Sequence, residues 1–531
     1  MKGDFQMTTF SDRLKEAMYA QNLKQIDLVH IAAENNVKLG KSHVSQYVSG
    51  KTVPRNDILH FLADTLHVDA DWLLGDSQEN FTARENNSVA PKAPSTTKTS
   101  GSVGTSNSSK RGTTPMKKTI TDKNDNDNAG SSAMHIFKKS SKLDNVLYDV
   151  RGPVVEEAAR MEERGTHVLK LNIGNPAPFG FRTPDEVIYD MSQQLSDCEG
   201  YSPSQGLFSA RKAIMQYSQI KKLPNVTISD IYTGNGVSEL INLCMSALLD
   251  NGDEILIPSP DYPLWTACAT LAGGKAVHYI CDEQSDWYPD IEDMRRKITD
   301  RTKALVIINP NNPTGVVYDE ATIKALAAIM EKKEKEFGTS IVLISDEPYR
   351  ELAYGGVDVP FVTKFYHNAV VGYSYSKSLS VPGERIGYVV IPDEVDDSAA
   401  LIGAATIANR VIGCVNAPSL IQKALQYCIQ HDVTVDLATY EKNRNLIYGA
   451  LTEYGFTCAK PDGAFYLFVK SPVEDEKEFC EVAKKHHVLV VPGSSFACPG
   501  YVRLAYCVSY EQIERSLPAF KEIAKEYGLC K

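Results

Sequence analysis

The sequence contains no stretch approaching about 18 apolar residues, the length a helix needs to span a bilayer. Its N-terminus also lacks the apolar run of a secretory leader. Both absences point to a cytoplasmic protein with no membrane partner. There is no C-x-x-C pair and no His/Cys cluster at ligand spacing, so no metal is expected. The 11 cysteines are an odd number, scattered from Cys198 to Cys530, and read as reduced core thiols. A broad positive surface is missing too. The 56 Lys and Arg stand against 67 Asp and Glu, a formal charge of −11. That balance excludes a protein that binds nucleic acid over its whole surface and leaves room for a local basic patch. No internal repeat is present.

What is there is the composition of a soluble globular protein, 43% hydrophobic and 23% charged over 531 residues. Three regions differ. Residues 8–75 carry apolar residues at helical spacing: Leu14, Ala17 and Met18, then Leu28, Ile31 and Ala32, then Ile58, Phe61, Leu62 and Leu66. Residues 76–138 are rich in Ser, Thr, Asn, Gly and Lys and nearly free of large apolar side chains. They cannot bury enough surface to offset their ordering entropy and are expected to form a disordered linker. In residues 139–531 apolar runs such as DEILIPS, KALVIINP, SIVLISDE, AVVGYSYS and IGYVVIP alternate with helical patterns. That alternation predicts an α/β module with a mostly parallel sheet.

Three of these runs end in polar residues. IVLIS leads into Asp346, at a carboxyl end where open α/β sheets bind ligands. VVGYSYS is expected to carry its strand to Ser374, Ser376 and Lys377, and Arg385 follows eight residues after the lysine. LVIINP leads into NPNNPTG, with Asn312. Alone, each has an ordinary reading as a solvated lysine, a helix cap or a turn. In this order and spacing, coincidence is a poor explanation.

Over residues 139–531 the sequence resembles fold-type I pyridoxal-phosphate enzymes of the class I/II aminotransferase family. The resemblance implies a large domain with a mostly parallel sheet and a smaller α+β domain. It also implies pyridoxal 5′-phosphate as cofactor, with an amino acid and a 2-oxo acid as substrates. In S-x-S-K-x-x-x-x-P-G-x-R-x-G-Y the lysine matches Lys377, which would link covalently to the cofactor and shuttle a proton. Asp346 would pair with the ring nitrogen. Tyr349 and Asn312 would bond the ring oxygen, and Tyr262 would stack on the ring. Arg385, Ser374 and Ser238 would hold the phosphate, with Val237 at the N-terminal amides of a helix. The GNG of YTGNGVSELI resembles a dinucleotide fingerprint, but Glu239 stands where the third glycine belongs, which weakens that reading. Arg503 matches the arginine that takes the substrate α-carboxylate, and Gly174 the segment closing over the substrate. Tyr201 matches a tyrosine that reaches the partner subunit's phosphate, which implies a homodimer. YDVRGPVVEEAARMEERG and LNIGNPAPFGF are similar to the alanine (glutamate–pyruvate) branch and place Arg151 and Tyr148 at the pocket. SDEPYREL and SYSKSLSVPGERIGY are similar to another subgroup, so alanine, aspartate or a broader donor range stays open.

The stretch FSDRLKEAM to DWLLG resembles the Cro/repressor-type helix-turn-helix family. Gln25 would begin the second helix. Lys41, Ser42, His43, Ser45, Gln46 and Tyr47 would face a DNA groove, with Lys38, Lys51 and Arg55 near phosphates. The stretch between Leu28 and Val44 is about five residues longer than that pattern. A dimeric enzyme could present two such domains to a two-fold operator. Three functions therefore compete: an aminotransferase with a DNA-binding appendage, a regulator that senses pyridoxal phosphate or an amino acid, and a pyridoxal-phosphate carbon–sulfur lyase.

Overall fold

The structure is a computed structural model that describes residues 9–21, 23–35, 37–74, 140–143, 146, 152–223 and 225–531. The chain divides into two units, Met1–Ala129 and Gly130–Lys531. The expected linker, residues 76–138, lies outside the described residues, as do Tyr148 and Arg151.

The described part of the first unit is helical: α1 (Phe10–Ala20), α2 (Gln25–Glu34), α3 (Lys41–Val48), α4 (Asn56–Leu66) and α5 (Ala70–Leu74). Thr9 and Asp12 exchange bonds at the start of α1, satisfying two amides that the helix leaves open. Leu14, Ala17, Leu28, Ala32, Leu62 and Leu66 are each fully buried in one cluster, as their spacing predicts; Ile31 and Phe61 are half-buried. α3 packs on α1 and α2 through Val44, which is buried.

The second unit holds β1 (Leu169–Lys170), β2 (Ile231–Gly234), β3 (Glu254–Ser259), β4 (Lys275–Asp282), β5 (Tyr288–Pro289), β6 (Thr302–Ile308), β7 (Val342–Asp346), β8 (Ala369–Ser374), β9 (Gly387–Val390), β10 (Tyr466–Lys470), β11 (Val488–Leu489), β12 (Val491–Pro492) and β13 (Tyr501–Ala505). Eight strands form one sheet in the order β2-β9-β8-β7-β6-β3-β4-β5. β6, β7 and β8 are nearly continuous apolar runs because helices cover both faces. The sheet is mixed, which refines the expected mostly parallel arrangement. β4, β3, β6, β7 and β8 pair in parallel, whereas β9 is antiparallel to β2 and β8, and β5 is antiparallel to β4. The segment between β8 and β9 returns beside the strand it left instead of crossing a face on a long helix, so the pairing there is antiparallel. A smaller sheet has the order β10-β13-β12; β10, β13 and the β1–β11 pair share a core with helices Leu437–Glu453, Glu476–Lys485 and Tyr510–Glu526, while Phe468 and Val491 of the smaller sheet pack into the core of the large one.

One boundary differs from expectation. β8 stops at Ser374, and Lys377 lies on a one-turn helix, Tyr375–Ser378. The Ser374 hydroxyl accepts from the Ser376 amide and caps that turn. No helix among the described residues is long and apolar enough to cross a membrane.

Candidate active site

The carboxyl ends of β6, β7 and β8 lie side by side, with Ile308 opposite Asp346 and Asp346 opposite Gly372. They open into a cavity of about 670 Å³, within the range of small-ligand sites. Lys377, Asp346, Asn312, Tyr349, Ser374 and Arg385 all line it. So do Val237, Ser238, Tyr262, Gly174 and Arg503, which come from four further segments. Tyr201 does not; it is 91% exposed elsewhere on the surface.

Asp346 sits at the floor, 2% exposed. Its Oδ2 accepts from the Trp265 indole N–H at 3.0 Å, while Oδ1 is buried with no partner among the described residues. Burial pushes the carboxyl up to about 7, the adjacent Glu347 charge adds to this, and the Trp265 bond opposes it. The open oxygen of such a carboxylate calls for a donor that arrives with a ligand.

Above the floor, Lys377 Nζ donates to the Gly174 carbonyl at 2.8 Å. Gly174 is held to glycine by space, since a Cβ there would overlap the Tyr466 hydroxyl. Tyr466 and Tyr349 meet hydroxyl to hydroxyl at 3.0 Å, and burial raises the Tyr349 hydroxyl well above its ordinary range.

Arg503 is 3% exposed and lies between the rings of Tyr466 and Phe496, at 4.3 and 4.6 Å. It donates to Asn312 Oδ1 at 3.1 Å and to the Asn172 carbonyl at 3.2 Å, and its Nε is buried without a partner among the described residues. The stacked, partly unsatisfied guanidinium is prepared for a carboxylate. Using Asn312 Oδ1 for Arg503 also turns the amide so that its N–H₂ end is the one left for another acceptor.

At the far end, Gly236, at φ 77°, precedes the helix Val237–Leu248. Its first amides have no intrahelical partner and suit an anion. Arg385 donates to the carbonyls of Asn235 at 2.8 Å and Pro382 at 2.9 Å, and Ser374 Oγ meets Ser376 Oγ at 2.9 Å. An open carboxylate oxygen, an amine, a half-buried tyrosine and an anion cradle thus face one cavity. The set fits a planar, phosphorylated ring with a protonatable nitrogen, which is the form of pyridoxal phosphate.

Two residues with evident roles were not singled out from the sequence. Trp265 stands three residues after Tyr262, in the first turn of the helix Leu264–Leu271. Tyr466 lies 117 residues from Tyr349, and only the fold brings them together.

Residues 166–520 match the family described as aminotransferase class I and II. The chain is 41% identical over 409 residues to a glutamate–pyruvate aminotransferase of Escherichia coli (strain K12), covering 74% of this chain and 99% of that protein. It is 39% identical over 394 residues to an alanine aminotransferase of Mycobacterium tuberculosis (strain H37Rv), covering 71% and 90%. An aminotransferase crystal structure from Eubacterium rectale superposes with a TM-score of 0.69 at 39% identity, covering 74% of this chain and all of that one.

Proposed function

We propose that this chain, which belongs to the class I and II aminotransferases, moves the amino group of alanine to 2-oxoglutarate, and the reverse. The protein is a pyridoxal-phosphate-dependent aminotransferase. The substrate assignment draws on the named activities of relatives that it matches along nearly their whole length. The observation that carries the chemistry is the open Asp346 Oδ1 in the same cavity as Lys377 and Arg503.

When bound, pyridoxal phosphate supplies an aldehyde for the substrate amine and a ring that accepts electrons from the substrate Cα. In this reading Arg503 takes the α-carboxylate as a two-point pair, which orients the Cα–H bond. Lys377 Nζ would carry the proton from the substrate Cα to the cofactor's C4′ in the first half of the reaction and in the opposite direction in the second. Asp346 Oδ1 keeps the ring nitrogen protonated. Asn312 Nδ2 and the Tyr349 hydroxyl donate to the ring oxygen, and Tyr262 stacks on the ring. Ser238, Ser374, Arg385 and the amides from Val237 hold the phosphate. Tyr201, projecting from the surface, reaches the phosphate of a second subunit, so the working enzyme is a homodimer.

The test is a single half-reaction with one amino acid at a time. Alanine and glutamate release one equivalent of their 2-oxo acid per bound cofactor, faster than aspartate does. Cofactor binding with no release from any amino acid would replace this reading with that of a ligand-sensing regulator.

A second reading concerns the first unit. Lys41, Ser42, His43, Ser45 and Gln46 are all exposed on α3, while Val44 between them is buried. Lys38, Lys51 and Arg55 are exposed nearby in the sequence. A docked helix with a polar outer face and basic residues close to both its ends in the sequence is the form that enters a major groove. We infer that this unit binds DNA. In gel-shift titrations against genomic fragments, a preferred fragment is retarded, and Lys41→Ala with Gln46→Ala weakens retention by roughly tenfold or more. Uniform weak retention of all fragments, unaltered by the double variant, counts against it.

A further inference from the structure

Glu239 is 8% exposed, in the first turn of the helix Val237–Leu248. Among the described residues its hydrogen-bond partners are amides, with no cation. Oε2 accepts from both the backbone N–H and the Nδ2 of Asn235, the latter at 2.6 Å. Oε1 accepts from Asn409 Nδ2 at 2.6 Å, from the helix Ser398–Val411. A glutamate three residues into a helix commonly bonds the N-cap amide. Here the N-cap is Gly236, and the carboxylate instead grips the residue before it by backbone and side chain together.

The consequence falls on Arg385. With Asn235 clamped at two points, its carbonyl direction is set, and Arg385 Nη2 donates to that carbonyl at 2.8 Å. The guanidinium lies against the next residue, where a Cβ on Gly236 would sit 2.7 Å from Nη2. We propose that Glu239 is a positioning residue for the phosphate end of the site: by fixing Asn235 it fixes Arg385 and the first amides of the Val237–Leu248 helix, and Asn409 anchors it in turn. Glu239 does not line the cavity and acts through Asn235. The inference rests on the assignment of Arg385 to the phosphate.

The test compares pyridoxal phosphate with pyridoxal, which lacks the phosphate, as ligands of the cofactor-free full chain by fluorescence titration. Glu239→Gln keeps an acceptor for Asn235, and its amide can donate to Asn409 Oδ1, which is buried without a partner among the described residues. The substitution is therefore expected to fold. It weakens pyridoxal phosphate binding about threefold, because a neutral amide oxygen holds the two Asn235 donors less strongly than a carboxylate does, and leaves pyridoxal binding within about twofold. Asn235→Ala removes one of the two clamp donors and gives a loss of about threefold, again only for the phosphorylated ligand. It serves in place of Glu239→Gln should that chain not fold. Unaltered pyridoxal phosphate affinity overturns the proposal, as does an equal loss for both ligands, which marks a merely structural role. Arg385→Ala separates the two levels. If it lowers the preference for the phosphorylated ligand and Glu239→Gln does not, only the Glu239 proposal falls. If Arg385→Ala leaves the preference intact, the phosphate assignment itself falls and takes the proposal with it.

Discussion

Lys377→Ala is expected to lower the rate of amino-group transfer by about 10⁴-fold or more, because in the proposed reading it removes both a nucleophilic amine and the group that moves the Cα proton; proton transfer alone is worth up to roughly 10⁴. The cavity otherwise survives. The interactions lost include the Nζ bond to the Gly174 carbonyl, and Gly174 remains packed against Tyr466. The variant therefore still binds pyridoxal phosphate, through Arg385, Asp346 and the helix amides. Rapid-mixing measurement of 2-oxo acid release from alanine checks this. A residual rate within about tenfold of the parent would remove Lys377 from the role of base, since no single acid–base group is worth so little when it is essential. Adding a small primary amine to Lys377→Ala should restore part of the rate, and adding a tertiary amine less, because the cavity left by the side chain admits only a compact base.

Asp346→Asn has the next largest effect and acts in opposite directions on catalysis and stability. An asparagine cannot hold a proton on the ring nitrogen by charge, so turnover falls by about 10²–10³, the usual loss for one preorganised electrostatic group. Binding of the cofactor weakens less, because the phosphate end is intact. The stability effect follows from the carboxyl being pushed up to about 7 in the cofactor-free protein, chiefly by burial. Its unfolded value is near 3.9. The folded state therefore binds the proton more tightly than the unfolded chain does. The stabilisation from the protonated form is fully present below pH ~4 and is lost as pH rises toward 7. Between pH 5 and pH 8 this group alone costs the folded protein roughly 2–3 kcal/mol. The amide has no such dependence. In denaturant titrations of cofactor-free protein, Asp346→Asn gains stability relative to the parent between pH 5 and pH 8 by that amount. A constant difference across the range would mean that Asp346 titrates normally and that the floor of the cavity is wet. Greater stability with lower activity is what a strained, cofactor-ready group predicts.

Much of this site was legible without the fold, for a local reason. Ser374, Lys377 and Arg385 lie within 12 residues of chain, from Ser374 to Arg385, and Asp346 and Tyr349 within four, at the ends of apolar runs long enough to be strands. Over such distances backbone geometry links spacing to placement, and a strand leading into a polar turn predicts which end faces the ligand. The helical core of the first unit was legible for the same reason: a 3.6-residue period puts Leu14, Ala17, Leu28 and Ala32 on inward faces. The extent of β8 was not, because Ser374 caps a one-turn helix that competes with continuation of the strand.

The amino-acid sequence by itself determined the chemistry: which amine, which carboxylate, which guanidinia, and in what order along a strand-and-helix chain. These depend on residue type and short spacing. Only the tertiary structure decided how those groups are held. Lys377 meets the Gly174 carbonyl across 203 residues, and Arg503 meets Asn312 across 191. The Trp265 bond that leaves Asp346 Oδ1 open crosses 81 residues, and the Asn409 anchor of Glu239 crosses 170. The physical reason is that each of these pairs is set by sheet register and by which helix packs on which strand. Those are properties of the whole folded core, and no local spacing encodes them.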